Sequence, residues 1–267
     1  LAHLVSTNPN VQQEFHMKDM WDDKESFGNK ENNHIIYNYA SDSGGRFAHD
    51  DPDTDTQNIL SNQIEAYINS NIHAKLATII IGGNDLLDTM VVAGFDYLLT
   101  GDDGLDDIRQ LVRDDLDDMQ TILLQEINKL VDHDSAMPIF IGSLPDITLT
   151  LQGQELLNMF NFIEPLAIEL SEMIEEANIE IENEINPMQN VYFYDINTVF
   201  KLIYQSPYLF REYFPEQSFE DSQPVTFEQL EDMWVDYRHP TSDIHEILTH
   251  ATLEFTPSLR IGEFEIQ

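Results

Sequence analysis

The sequence predicts an α/β fold built on a mainly parallel sheet, and three features predict it. Short apolar runs, LATIII at 76–81, PIFIG at 138–142 and VYFY at 191–194, read as buried strands. Long stretches with apolar residues at helical spacing separate them. Strands alternating with helices of this length pair in parallel, because each helix carries the chain back across the sheet. With 267 residues, 42% of them hydrophobic, the chain holds one substantial core or at most two small ones.

Taken in order, residues 17 to 34 are polar and read as loop. HIIYNYA, 34–40, predicts a short strand that runs into SDSGGR, a turn whose paired glycines permit unusual backbone angles. DPDTDT, 51–56, is a solvated acidic loop, and ILSNQIEAYINSNI then sets Ile59, Ile64, Tyr67 and Ile68 at helical spacing. LATIIIGGNDLL is a buried strand ending in two glycines and a polar pair. From Leu105 to Val131, Ile108, Leu111, Leu116, Met119, Leu123, Ile127 and Leu130 form an apolar stripe opposite an acidic face. PIFIGSLP is a second buried strand closed by a turn, 151–180 a second long helical stretch, and VYFYDI a third strand. YQSPYLFREYF, 204–214, reads as a turn and helix packed over the core, or as the lining of an acyl or sugar pocket. Helical signals resume after Pro240 and run through Leu248. No repeat and no Gly/Ser or Pro-rich linker divides the chain, which reads as a single domain over 1–267.

Fifty acidic residues stand against 12 basic ones, a formal charge of −38. A surface with that field repels nucleic acid and anionic membranes, so neither is expected as a partner. The run around Ile79, Ile80 and Ile81 is too short to cross a bilayer, so no transmembrane segment is expected. The absence of cysteine excludes disulfides, thiolate catalysis and Cys-ligated metal sites.

Chemistry concentrates in two places. WVDYRHPTSDIH sets Asp236 three residues before His239, where a carboxylate can hold an imidazole in one tautomer and stabilise its charged form. A structural alternative makes Asp236 or Thr241 a helix cap and His239 a surface residue. In GGND, 82–85, Asn84 follows a buried strand and can donate its amide to a developing oxyanion; the same four residues also suit a plain turn. Gly44 or Gly45 can offer a backbone N–H to the same oxyanion. As metal ligands, Asp236, His239, His245 and the DPDTDT run fit neither an HExxH nor an EF-hand pattern, so no intrinsic metal is expected.

Together NYASDSGG, IIIGGNDLL and VDYRHPTSDIH resemble the later blocks of the GDSL esterase/lipase family, the SGNH hydrolases. The fit is closest to its secreted microbial lipases, haemolysin-like phospholipases and fungal acetyl esterases. PIFIGSLPDITLT, NMFNFIEPLAIEL and VYFYDINTVF resemble the family's connecting elements, so the likeness runs along nearly the whole chain. The resemblance implies a three-layer α/β/α sandwich and a Ser-His-Asp triad. By it, Asp236 and His239 are the acid and base, Asn84 the oxyanion amide, and Gly45, with Gly44 beside it, the backbone donor.

It implies ester hydrolysis on a lipid, small acyl or acetylated sugar substrate, without a cofactor and in a secreted or extracellular setting. Non-catalytic acyl or carbohydrate binding and acyl transfer are the rival readings. The family's Gly-Asp-Ser nucleophile motif does not occur in these 267 residues. The expectation is therefore that the serine and the first strand lie outside this chain, in an N-terminal segment that completes the fold, rather than at Ser41 or Ser43.

Overall fold

A computed structural model describes residues 16–19, 25–27, 35–38, 59–70, 73–159, 164–214, 216–219, 223–233, 241, 243–244, 247–248, 260–261 and 264–265. Its centre is a parallel sheet of three strands in the order β4-β5-β6: β4 Ala77–Ile79, β5 Ile139–Gly142 and β6 Val191–Tyr194. Ala77, Ile139 and Val191 lie side by side in register, as do Ile79, Ile141 and Phe193. Side chains alternate across a strand, so these six share one face, and all six belong to or pack against the larger buried cluster. On the other face the Phe140 and Tyr192 rings stack with centroids 5.2 Å apart.

Four helices carry most of the larger cluster: α1 Leu60–Asn69, α2 Gly83–Thr100, α3 Leu105–His133 and α5 Glu164–Ile185, with α4 Leu151–Met159 between the last two. Along α3 the buried edge runs through Ile108, Val112, Leu116, Met119, Leu123, Ile127 and Leu130. It passes through Val112 rather than Leu111, which is half-buried. Asp106 and Asp107 occupy its first turn, where the exposed amides favour anions. Arg109 ties α3 to α5 with paired bonds to Glu169 of 2.6 and 2.8 Å. That guanidinium holds the Glu169 carboxyl below the usual carboxylate range. Glu126, almost fully buried, accepts from Ser61 of α1 at 2.7 Å and from Lys129 at 2.6 Å.

A second cluster gathers Tyr194, Val199, Phe214, Leu230, Met233, Ile244 and Ile247, with α6 Ile196–Gln205 and α7 Phe227–Met233 as its helices. Phe214 is buried there, and Tyr204, Phe210 and Tyr213 pack against the same cluster. The aromatic stretch 204–214 thus serves the core. Among the described residues no helix is long and apolar enough to cross a membrane.

The structure departs from the sequence reading in four places. The polar stretch 17–34 contains strand β2 Glu25–Phe27 and most of β1 His16–Asp19. β1 pairs antiparallel with β2 and parallel with β3 Ile35–Asn38. Backbone pairing, with no apolar run to announce it, creates these strands. The long helical stretch 151–180 is two helices, α4 and α5, and α5 continues to Ile185. β4 is only half-buried, and beyond it Ile80 is 69% exposed. A short antiparallel pair, β7 Arg260–Ile261 and β8 Phe264–Glu265, lies beyond the elements the pattern suggested.

Candidate active site

Asn84 stands in the first turn of α2, directly after β4. The chain reverses there because Gly82 adopts φ 105° and ψ −14°, a left-handed conformation that L side chains rarely take. Gly82 then accepts the first helical bond, from the Leu86 N–H at 3.0 Å. Asp85 follows in the first turn, where the helix dipole favours a carboxylate. Asn84 is half-buried there. The GGND turn is thus a strand-to-helix turn and, by the same geometry, a mount for an amide at the carboxyl end of a parallel strand, where α/β folds place their ligands.

The neighbouring loop, Ser143 to Asp146 after β5, lies against that turn. A Cβ on Gly83 would sit 3.4 Å from Pro145 Cγ, and α2 also packs on the 3₁₀ turn Ile147–Leu149 that follows. Two amides hold the loop from behind. Asn178 of α5 accepts from the Leu144 N–H at 2.7 Å and donates to the Leu144 carbonyl at 3.0 Å. Asn197 of α6 donates to the same carbonyl at 2.7 Å and accepts from the Asp146 N–H at 2.7 Å. The Asp146 carboxylate accepts from Thr148 N–H at 3.0 Å and Thr148 Oγ1 at 2.6 Å, and from the Ser171 hydroxyl. Nearby, burial and the charge of Asp146 push the Tyr204 hydroxyl well above its ordinary pKa.

Asp236 and His239 lie outside the described residues, and so do Gly44, Gly45, Ser41, Ser43, His245 and the DPDTDT run. The flanks of the Asp236–His239 stretch are described. Thr241 N–H donates to the Met233 carbonyl at 3.0 Å, which brings the two flanks of 234–240 together. Met233, Ile244 and Ile247 are buried with Tyr194 at the end of β6, and the Tyr194 hydroxyl donates to the Leu248 carbonyl at 2.9 Å. The described flanks thus lie on the side of the molecule at which β6 ends. No cluster of three or more potential metal ligands occurs among the described residues.

A turn of this kind at the carboxyl end of a parallel strand is common to many α/β enzymes, and comparison with known families narrows the choice. The family model described as GDSL-like lipase/acylhydrolase matches residues 2–252. The chain belongs to this family. No curated protein and no solved structure matches it. The family's general activity is esterase or lipase hydrolysis, and its α/β fold accords with the small parallel sheet seen here.

Sequence reasoning missed Asn178, Asn197, Asp146 and Ser171, which hold the loop beside the turn that carries Asn84. One signal was present. Asn178 falls on the apolar stripe of Ile174, Ala177, Ile181 and Ile185, where an amide must find partners inside the protein. Asn197 gave no such signal, sitting one residue inside a helix start where polar residues are ordinary.

Proposed function

We propose that this protein is a serine esterase or lipase that hydrolyses carboxylic esters of lipid, small acyl or acetylated sugar substrates through a Ser-His-Asp triad. Asp236 orients His239, and the serine lies outside these 267 residues, which hold no Gly-Asp-Ser. His239 takes the proton from the serine hydroxyl as its oxygen attacks the ester carbonyl carbon. The Asn84 amide and the Gly45 N–H, with Gly44 the alternative, receive the negative oxygen. His239 then protonates the departing alcohol, and in the second half it activates water to release the acid from the acyl-enzyme. No cofactor takes part. The observation that carries this reading is Asn84, fixed in the first turn of α2 behind the left-handed Gly82, in a chain the family model matches nearly end to end.

The test is hydrolysis of p-nitrophenyl acetate, butyrate and palmitate by the protein purified from its native source. His239→Ala should abolish turnover, and Asn84→Ala should lower kcat by roughly 10²–10³, the usual effect of losing one oxyanion donor. Ester binding without turnover in the unaltered protein would favour a binding role instead.

A further inference from the structure

Seven polar or charged side chains are buried among the described residues, and five of them, Ser143, Asp146, Thr148, Asn178 and Asn197, form one hydrogen-bonded set around the loop after β5. Burying amides is unfavourable unless each of their groups is paired. Here they are concentrated under a loop that rests on the turn bearing Asn84.

Asn197 has a particular place in this set. Its oxygen accepts from the Asp146 N–H at 2.7 Å and its nitrogen donates to the Leu144 carbonyl at 2.7 Å, so one side chain grips the residues on both sides of Pro145. Pro145 has no N–H by which it could be anchored itself. Asn197's own N–H donates to Ser143 Oγ at 3.2 Å, which ties the start of α6 to the same loop. Asn178 also holds Leu144, but by that residue alone.

We propose that Asn197 is a positioning residue for ester hydrolysis. By clamping Leu144 and Asp146 it fixes Pro145 against Gly83, and so fixes where the first turn of α2 presents the Asn84 amide. The inference rests on the oxyanion role given to Asn84 above. An aliphatic side chain at 197 could fill the space, but it would leave the Asp146 N–H without the Asn197 oxygen and take one of two donors from the Leu144 carbonyl.

The test is a double-mutant cycle between positions 197 and 84 in the protein from its native source, with kcat and KM read separately and folding checked by thermal melting. Asn197→Ala should lower kcat about tenfold with KM little changed. In an Asn84→Ala background it should lower kcat hardly further, since the group it positions is gone. Pro145→Ala, which leaves the amide set intact, should show the same dependence on Asn84. Where Asn197→Ala folds poorly, Asn197→Ser, which keeps an oxygen but no amide donor, takes its place.

A second readout needs no turnover. The side-chain amide signal of Asn84 in the ¹⁵N NMR spectrum, assigned by its loss in Asn84→Asp, should shift or broaden in Asn197→Ala. An equal fold-loss in both backgrounds, or an unmoved Asn84 signal, overturns the positioning role while leaving the esterase reading intact. An unchanged kcat in Asn84→Ala overturns the oxyanion assignment, and this inference with it.

Discussion

Replacing Gly82 by alanine perturbs the turn that mounts Asn84, and replacing Gly83 perturbs its neighbour, yet the two should behave very differently. Gly82 has φ 105° and ψ −14°, far from any region an alanine occupies freely. Holding an L residue in so sparsely populated a region costs about 1–3 kcal/mol. For a domain of this size that is a fall of roughly 2–10 °C in Tm. Gly83 has an ordinary helical backbone, and an added Cβ would meet Pro145 Cγ at 3.4 Å, an ordinary van der Waals contact. Gly83→Ala also reduces the freedom of the unfolded chain, so its net effect should lie between neutral and a stabilisation of about 1 kcal/mol.

Urea denaturation of both variants measures the difference. The same strain, relieved by a shift of the turn, should lower kcat on a p-nitrophenyl ester in Gly82→Ala by at least tenfold, because a donor displaced by about 1 Å loses most of its value. Equal stabilities for the two variants would refute the claim that a left-handed residue builds this mount.

Gly153→Ala should destabilise more than Gly83→Ala in the same denaturation assay, by about 1–3 kcal/mol, since its Cβ would lie 2.2 Å from the Ile147 carbonyl oxygen with no flexible side chain to yield. Leu123→Ala, at a position 1% exposed in the middle of α3, should cost about 2–5 kcal/mol in urea denaturation. Glu169 has a lowered pKa in the folded protein, so its contribution is present above the unfolded carboxylate pKa and is lost as pH falls through the folded one. Stability measured from neutral pH down into the acid range should therefore fall less steeply in Glu169→Gln than in the unaltered protein. The difference between the two curves isolates this residue from the other acids.

Much of the fold was legible because it is written in local apolar pattern. Ile139 to Gly142 and Val191 to Tyr194 are strands where short buried runs predicted them, and α3 begins at the Leu105 that starts the stripe. The parallel pairing follows from the helices between the strands. What escaped depends on partners far apart in the chain. β1 and β2 exist through pairing with each other and with β3, in a stretch whose composition reads as loop. Ile80 looks like part of a buried run and is largely exposed, just beyond the end of β4 at Ile79.

The site divides in the same way. The place of Asn84, in a turn between strand and helix, was legible from the strand-glycine-glycine order that precedes it. The grip of Asn197 on Leu144 spans 53 residues, and no local pattern encodes it. Asp236, His239 and Gly45, outside the described residues, are read from spacing and from the resemblance of their blocks.

The most direct test of the central claim is fluorophosphonate labelling of the protein from its native source, read by intact mass and peptide mapping. The account predicts one covalent adduct, on a serine outside these 267 residues, which disappears in His239→Ala. A protein that takes no adduct, or one labelled at Ser41 or Ser43, would contradict it.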